Sequence, residues 1–205
     1  MTAALSSPGP PWQPFCICDE FLAPNEAKLM VDGAVAGADA YEPARTMEDP
    51  GREHASAHRR STVRYDEPSS MALFAARLVA FADAICERLR IRPLPVTHLE
   101  TQLVCTGHGE YYRPHTDDGN ERLRSRRVTC LYYLHREPRA FDGGELRLHV
   151  PPMVAGEQPT YVDVAPEQNR LVAFPSGLVH EVRPVSVPTN RFEDRRFALS
   201  AWLHA

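Results

Sequence analysis

Three side chains in this 205-residue chain have the types and spacing to hold a redox-active metal: His115, Asp117 and His180. In His115-Thr116-Asp117, an extended backbone would point residues i and i+2 to the same side, so an imidazole and a carboxylate would enter one pocket together. His180 lies on a strand-like stretch, Leu178 to Val187. Two imidazoles and one carboxylate on one face of a metal leave the other positions open, an arrangement that suits non-haem Fe(II) and its reaction with O2. The spacing H-x-D is weak taken alone, because the chain has nine histidines and 27 acidic residues. The remaining histidines (54, 58, 98, 108, 135, 149 and 204) read as structural. His54 and His58 have helical i, i+4 spacing but sit in a segment with poor helix signals.

Cys16, Cys18, Cys86, Cys105 and Cys130 are odd in number and scattered, which does not suggest a disulfide framework. The C-x-C of Cys16 and Cys18 has no second pair at zinc-finger spacing. Both read as strand residues.

The net charge of −4 argues against nucleic acid as the default partner. No apolar run approaches the ~20 residues of a membrane helix, and Met1 to Pro14 lacks the basic-then-apolar pattern of a secretory signal. A cytoplasmic location is the expectation. Lys28 is the one lysine among 23 basic residues, so any carboxylate clamp must be a guanidinium.

The elements that must position these residues are legible in outline. Residues 1–14, with Pro8, Pro10, Pro11 and Pro14, read as a flexible lead into one domain spanning 15–205. A short strand is expected within 15–22. Pro24 and Asn25 open a helix through about Val35. Residues 37–67 are polar and weakly periodic, and a loop this long is usually functional or disordered. Within it, 41–66 is a candidate lid. Ser69 and Ser70 are expected N-caps for a helix over roughly 70–90, whose Met71, Phe74, Leu78, Phe81, Ile85 and Leu89 form one apolar stripe. After Pro95 the pattern changes to strands at 97–105, 111–116, 127–135, 144–149, 160–164, 170–174, 179–186 and 195–204. The fold class is therefore α+β, mainly β: a double-stranded β-helix (jelly roll) with N-terminal helices packed on one sheet.

The sequence also carries a resemblance. Gly109 through Asp117 resembles the G-x-x-Y-x-x-H-x-D of prolyl 4-hydroxylase-like 2-oxoglutarate/Fe(II) dioxygenases. Arg127-Val128-Thr129-Cys130-Leu131-Tyr132-Tyr133-Leu134 is similar to the strand that follows in oxygen-sensing prolyl hydroxylases. Gly143-Gly144-Glu145-Leu146, Asn169 to Ser176, His180-Glu181-Val182-Arg183-Pro184 and Arg196 to Trp202 continue the match in order, over about residues 97–204.

This resemblance implies His115, Asp117 and His180 as both metal ligands and catalytic residues, with Fe(II), 2-oxoglutarate and O2 as cofactors and ascorbate as a reductant. It implies a basic residue beyond the second histidine for the distal carboxylate of 2-oxoglutarate, where a guanidinium fork suits the task. Arg191 and Arg196 are the candidates. Arg196 is preferred because it opens the strand pattern R-F-A-L-S-A-W, with an insertion within Pro188 to Asp194 lengthening the turn before it. Tyr133 is expected at the same carboxylate, with Ser200 and Tyr112 as further co-substrate residues. For Tyr112, core packing is an equal alternative. Thr106 departs from the pattern, standing near where relatives often carry a supporting tyrosine.

The implied reaction converts 2-oxoglutarate to succinate and CO2 while a substrate C–H bond is hydroxylated. Related halogenases lack the carboxylate that Asp117 supplies, which favours a hydroxylase. A prolyl residue in a peptide is the first substrate expectation, and a free amino acid or other small metabolite the second. The Arg-rich stretch Arg122 to Arg127 is a candidate peptide-contact rim. A non-catalytic metal-binding module, or a cupin-like enzyme without 2-oxoglutarate, are the readings from other classes.

Overall fold

The computed structural model describes residues 13–44, 57–65, 69–152 and 158–205. Among the described residues, twelve strands form two facing antiparallel sheets and two α-helices make a layer outside one of them. The larger sheet runs β1 (Cys16–Cys18), β11 (Leu171–Pro175), β7 (Arg126–Leu134), β14 (Arg196–His204), β5 (His98–Thr106), β4 (Thr62–Arg64), β2 (Glu42–Pro43). The smaller runs β10 (Thr160–Val164), β9 (Leu146–Val150), β12 (His180–Val182), β6 (Tyr111–His115), β3 (Arg59–Arg60). A two-stranded ribbon pairs β8 (Asp142–Gly143) with β13 (Val185–Ser186).

Period-two alternation divides the large sheet into two faces. Phe197, Leu199, Ala201 and Leu203 of β14 turn toward the helices, together with Cys130 and Tyr132 of β7. Ala198, Leu131 and Tyr133 turn the other way and pack on Leu146, Leu148 and Val164 of the smaller sheet. The helical side is supplied by α1 (Pro24–Ala36) and α2 (Ser69–Leu89). Proline at the first position of α1 has no amide to leave unsatisfied, and the Glu26 carboxylate accepts from Ala23 N at 2.9 Å, holding the helix start. Met71, Phe74, Leu78, Ile85 and Leu89 of α2 are all buried, and Phe81 partly so. Among the described residues no helix is long and apolar enough to cross a membrane.

Several boundaries differ from the sequence reading. The segment 37–67 is not one loop: its described parts hold a 3-10 turn at Ala38–Ala40 and β2, β3 and β4. Residues 45–56 and 66–68 lie outside the described residues, so most of the candidate lid 41–66 does too. The strand expected over 179–186 is two strands, because Pro184 has no amide to donate to a ladder and the chain changes partner from β6 and β9 to β8. The 144–149 strand starts later, at Leu146, since Gly143 and Gly144 both take positive φ. The first strand is only Cys16–Cys18. Helix α2 already includes Ser69 and Ser70, whose side chains are outside the described residues. Residues 1–12 of the N-terminal lead are also outside, while Pro14 and Phe15 are buried.

Candidate metal centre

His115, Asp117 and His180 come together where β6 and β12 run antiparallel. His180 is the direct cross-strand partner of His115. Asp117 follows on the turn after β6, where its amide donates to Ser176 O at 2.9 Å. One ligand atom from each residue lies within 4.8 Å of the other two. His115 Nε2 stands 3.7 Å from Asp117 Oδ1, and His180 Nε2 stands 3.4 Å from Asp117 Oδ2.

Both imidazoles are oriented in the same way. Nδ1 of His115 lies 2.8 Å from the Arg113 carbonyl, and Nδ1 of His180 lies 2.9 Å from the Leu178 carbonyl. A carbonyl can only accept, so each Nδ1 carries a proton and each Nε2 is turned toward the centre of the cluster. Burial, and then the neighbouring His180, push the His115 imidazole down to about 3, so it is neutral at physiological pH. Burial works to raise the Asp117 carboxyl, but the two imidazoles, Trp202 and Thr129 outweigh it and hold it below the usual range. Thr129 Oγ1 donates to Asp117 Oδ2 at 2.7 Å and lies 3.0 Å from Ser176 Oγ. Two imidazole nitrogens and one ionised carboxylate are a suitable donor set for a divalent cation.

Aromatic rings pack this end. Tyr112 stacks on His115 with centroids 3.5 Å apart and planes 16° apart, the Arg59 guanidinium lies 4.8 Å over the outer face of Tyr112, and Phe174 meets His180 edge-on.

The pocket running from this cluster has a volume of about 270 Å³. Its far end is closed by Arg196, which is only 2% exposed. Arg196 Nε donates to Gly144 O at 2.8 Å, and its guanidinium lies 5.0 Å over the Tyr133 ring. Arg196 Nη2 and the Tyr133 hydroxyl are both buried and have no hydrogen-bond partner among the described residues. Burial lowers the Arg196 guanidinium and raises the Tyr133 phenol. A buried cation with an unused N–H and no ion pair among the described residues is costly unless an anion completes it. The two orphaned donors therefore fit a carboxylate ligand.

Gly144 makes the close approach possible. It has φ +71°, and a Cβ there would stand 2.6 Å from Arg196 Cδ. Arg191 is elsewhere: it is exposed and paired with Glu193 and Asp194 around the 3-10 turn Phe192–Asp194. Thr106 is buried directly across the sheet from Arg196 and lines the pocket. Ser200 is also in the lining, on the Arg196 face of β14 but nearer the metal ligands.

Two features around Asp117 escaped the sequence reading. Thr129 sits in a quoted strand motif and shares the alternation of Leu131 and Tyr133, so its inward direction was available. The pair Arg126–Glu100 was not: Arg126 Nε donates to Glu100 at 2.9 Å, its guanidinium lies 3.9 Å over Trp202, and Nη1 reaches the Asp117 carbonyl at 3.4 Å. Nothing local in the sequence brings β5 and the start of β7 together.

Comparison with known proteins follows the same lines. Residues 101–204, half of the chain, match the model of the 2OG-Fe(II) oxygenase superfamily. The chain belongs to that superfamily. A PKHD-type hydroxylase from Synechocystis sp., itself uncharacterized, is 31% identical over 188 residues, covering 89% of this chain and 60% of the relative, so the chain spans under two thirds of that protein's length. A prolyl-4-hydroxylase from Pseudomonas putida superposes with a TM-score of 0.70 at 22% identity, over 94% of this chain and 93% of that one. A prolyl hydroxylase from Trichoplax adhaerens, solved in complex with a hypoxia inducible factor peptide fragment, gives 0.67 at 23% identity, over 93% and 83%. At these identities the structural likenesses establish a shared jelly-roll fold. As a superfamily member, the chain has Fe(II) and 2-oxoglutarate as its implied cofactors.

Proposed function

We propose that the chain is a 2-oxoglutarate-dependent dioxygenase that hydroxylates a prolyl residue in a peptide or protein, with His115, Asp117 and His180 holding Fe(II). The observation carrying this reading is the pairing of a three-residue metal cluster with the buried Arg196 guanidinium in one pocket, where Arg196 Nη2 and the hydroxyl of the adjacent Tyr133 have no hydrogen-bond partner among the described residues. A metal site alone would fit many proteins; the anion site beside it fits a chelating keto acid. Bound iron supplies the oxidising chemistry by activating O2 with the keto acid. The chain's residues do the rest. Arg196 and Tyr133 bind and orient the distal carboxylate. Ser200 lines the stretch between that carboxylate and the metal. Tyr112 walls the metal end and keeps the His115 plane fixed. Thr129 holds Asp117 ionised and in place, and Arg126 steadies the same turn through the Asp117 carbonyl.

A peptidyl substrate is supported by the PKHD-type hydroxylase relative and by the fold shared with prolyl hydroxylases, one of them solved with a peptide fragment. A pocket of about 270 Å³ admits a single side chain beside the keto acid rather than a large ligand. A free amino acid or other small metabolite is the second substrate class, favoured by the same small volume.

Purified protein, Fe(II) and 2-oxoglutarate, with ascorbate as reductant, are expected to release succinate, and proline-containing peptides to gain one oxygen atom by mass. Bound Fe(II) without succinate release or keto-acid binding would make the chain a non-catalytic metal module. Arg196→Ala separates a cupin-like enzyme, whose activity survives, from a 2-oxoglutarate enzyme, whose activity is lost.

A further inference from the structure

The pocket mouth carries positive charge that neither the metal site nor the keto-acid clamp uses. Arg60 on β3 is the direct cross-strand partner of Tyr111, a lining residue, and the Arg113 guanidinium lies 5.6 Å over the Tyr111 ring. Directly opposite residues share a sheet face, so both arginines flank Tyr111 at the opening. Arg122 and Arg124 flank Leu123, which also lines the pocket, in and after the 3-10 turn Glu121–Leu123. All four arginines are exposed, and none forms an ion pair among the described residues. The adjoining turn carries three carboxylates: Asp117, which belongs to the metal cluster, Asp118, which packs against Gly177, and Glu121. In a chain with a net charge of −4, four exposed arginines against Asp118 and Glu121 make a local reversal of sign beside the pocket that holds the metal ligands.

We propose that this rim is a docking surface for an acidic peptide segment, one in which Asp or Glu residues flank the residue that enters the pocket. The proposal rests on reading the pocket as the oxidation site. With so small a pocket, the rest of a polymeric substrate must lie on the rim, where the four guanidiniums meet it. Surface charges act over a Debye length of about 8 Å at physiological salt. A short acidic segment therefore feels the rim alone, whereas a nucleic acid extends onto the negative remainder of the molecule and is repelled there.

The test uses three fluorescein-labelled 11-residue peptides with a central proline, flanked by Asp/Glu, Asn/Gln or Lys. Binding is followed by fluorescence anisotropy with the intact protein, Mn(II) in place of Fe(II) and 2-oxoglutarate present, so no turnover is needed. The acidic peptide is expected to bind about tenfold more tightly than the neutral one, and the Lys peptide more weakly than either. The advantage should shrink as salt rises from 50 to 200 mM. The double variants Arg122→Glu/Arg124→Glu and Arg60→Glu/Arg113→Glu should each remove most of it, with Mn(II) affinity and thermal midpoint unchanged. Equal binding of acidic and neutral peptides overturns the proposal. So does tighter binding of an 11-nucleotide single-stranded DNA, which would make the rim a nucleic-acid surface. Succinate release reports separately on the pocket: if it is absent while the acidic peptide binds, the reaction assigned to the pocket fails and the docking surface stands.

Discussion

At the scale of single residues, the metal cluster depends on groups that never touch the metal. The Thr129 hydroxyl bonds Asp117 Oδ2, the oxygen that faces His180. Replacing it with the isosteric valine removes the bond without changing shape, and leaves a buried carboxylate one donor short. Outer-shell changes of this kind cost about 10–100-fold in metal affinity. Thr129→Val is therefore expected to weaken Mn(II) or Fe(II) binding within that range, measured by equilibrium titration of the apoprotein, with the thermal midpoint of the apoprotein nearly unchanged. Unaltered metal affinity would mean that backbone geometry alone positions Asp117. Arg196 calls for the opposite comparison. Lysine keeps the charge but loses the planar fork. Arg196→Lys should weaken 2-oxoglutarate binding by about tenfold, corresponding to ~1.4 kcal/mol, and should leave metal affinity intact. Calorimetric titration of the Mn(II) form reads both.

At the scale of elements, the site is a property of strand ends. The turns after β6, between β8 and β9, and between β13 and β14 each deliver one part of it, and they differ in how legible they are. His115-Thr116-Asp117 is readable because the two ligands lie two residues apart where β6 ends, so the i, i+2 spacing still brings both to one side. Arg196 is readable as the start of a long apolar strand, even though the preceding turn is extended by a 3-10 segment. Strands β3 and β4 are not readable, since they are two and three residues long, Arg-rich and at or near a sheet edge, where charge is what keeps edges from pairing. Their contribution to the pocket, Arg59, was invisible for that reason. Gly144 is the element-scale test. Gly144→Ala sets a Cβ against Arg196 Cδ at a positive φ, so the turn or the guanidinium must move. The expected outcome is a destabilisation of about 1–2 kcal/mol together with weaker 2-oxoglutarate binding, by thermal melting and calorimetry. Glu100 gives a pH signature for the β5–β7 pairing. Burial works to raise its carboxyl, but Arg126 and then His204 outweigh it and hold it below the usual range. A depressed folded-state value contributes stability above the unfolded value near 4.5 and loses it as pH falls through the folded one. The stability difference between wild type and Glu100→Gln should therefore be present at pH 7 and disappear at more acid pH, in denaturation curves taken across that range.

At the scale of the whole molecule, the helices and the site share one sheet. Phe197, Leu199 and Ala201 of β14 are held by the helical layer, while Arg196, Ala198 and Ser200 between them face the pocket. Rigidity on one face fixes the other, and no helix residue lines the pocket among those described. Ligand binding should accordingly be linked to global stability in a defined order. Any ligand that binds only the folded state stabilises it by RT ln(1 + [L]/Kd), about 2.7 kcal/mol at a hundredfold excess over Kd. Mn(II) should raise the thermal midpoint of the apoprotein, and 2-oxoglutarate should raise it further only when Mn(II) is present, because on the proposed reading the keto acid would be held by both the metal and Arg196. In Arg196→Ala the first shift should persist and the second should vanish. In Phe74→Ala, which opens a cavity under α2 at a cost of about 3–5 kcal/mol, the starting midpoint should fall and both shifts should remain. Loss of both shifts in the helix variant would mean that the layer behind the sheet shapes the pocket directly rather than only supporting it, and differential scanning fluorimetry on the three proteins distinguishes the cases.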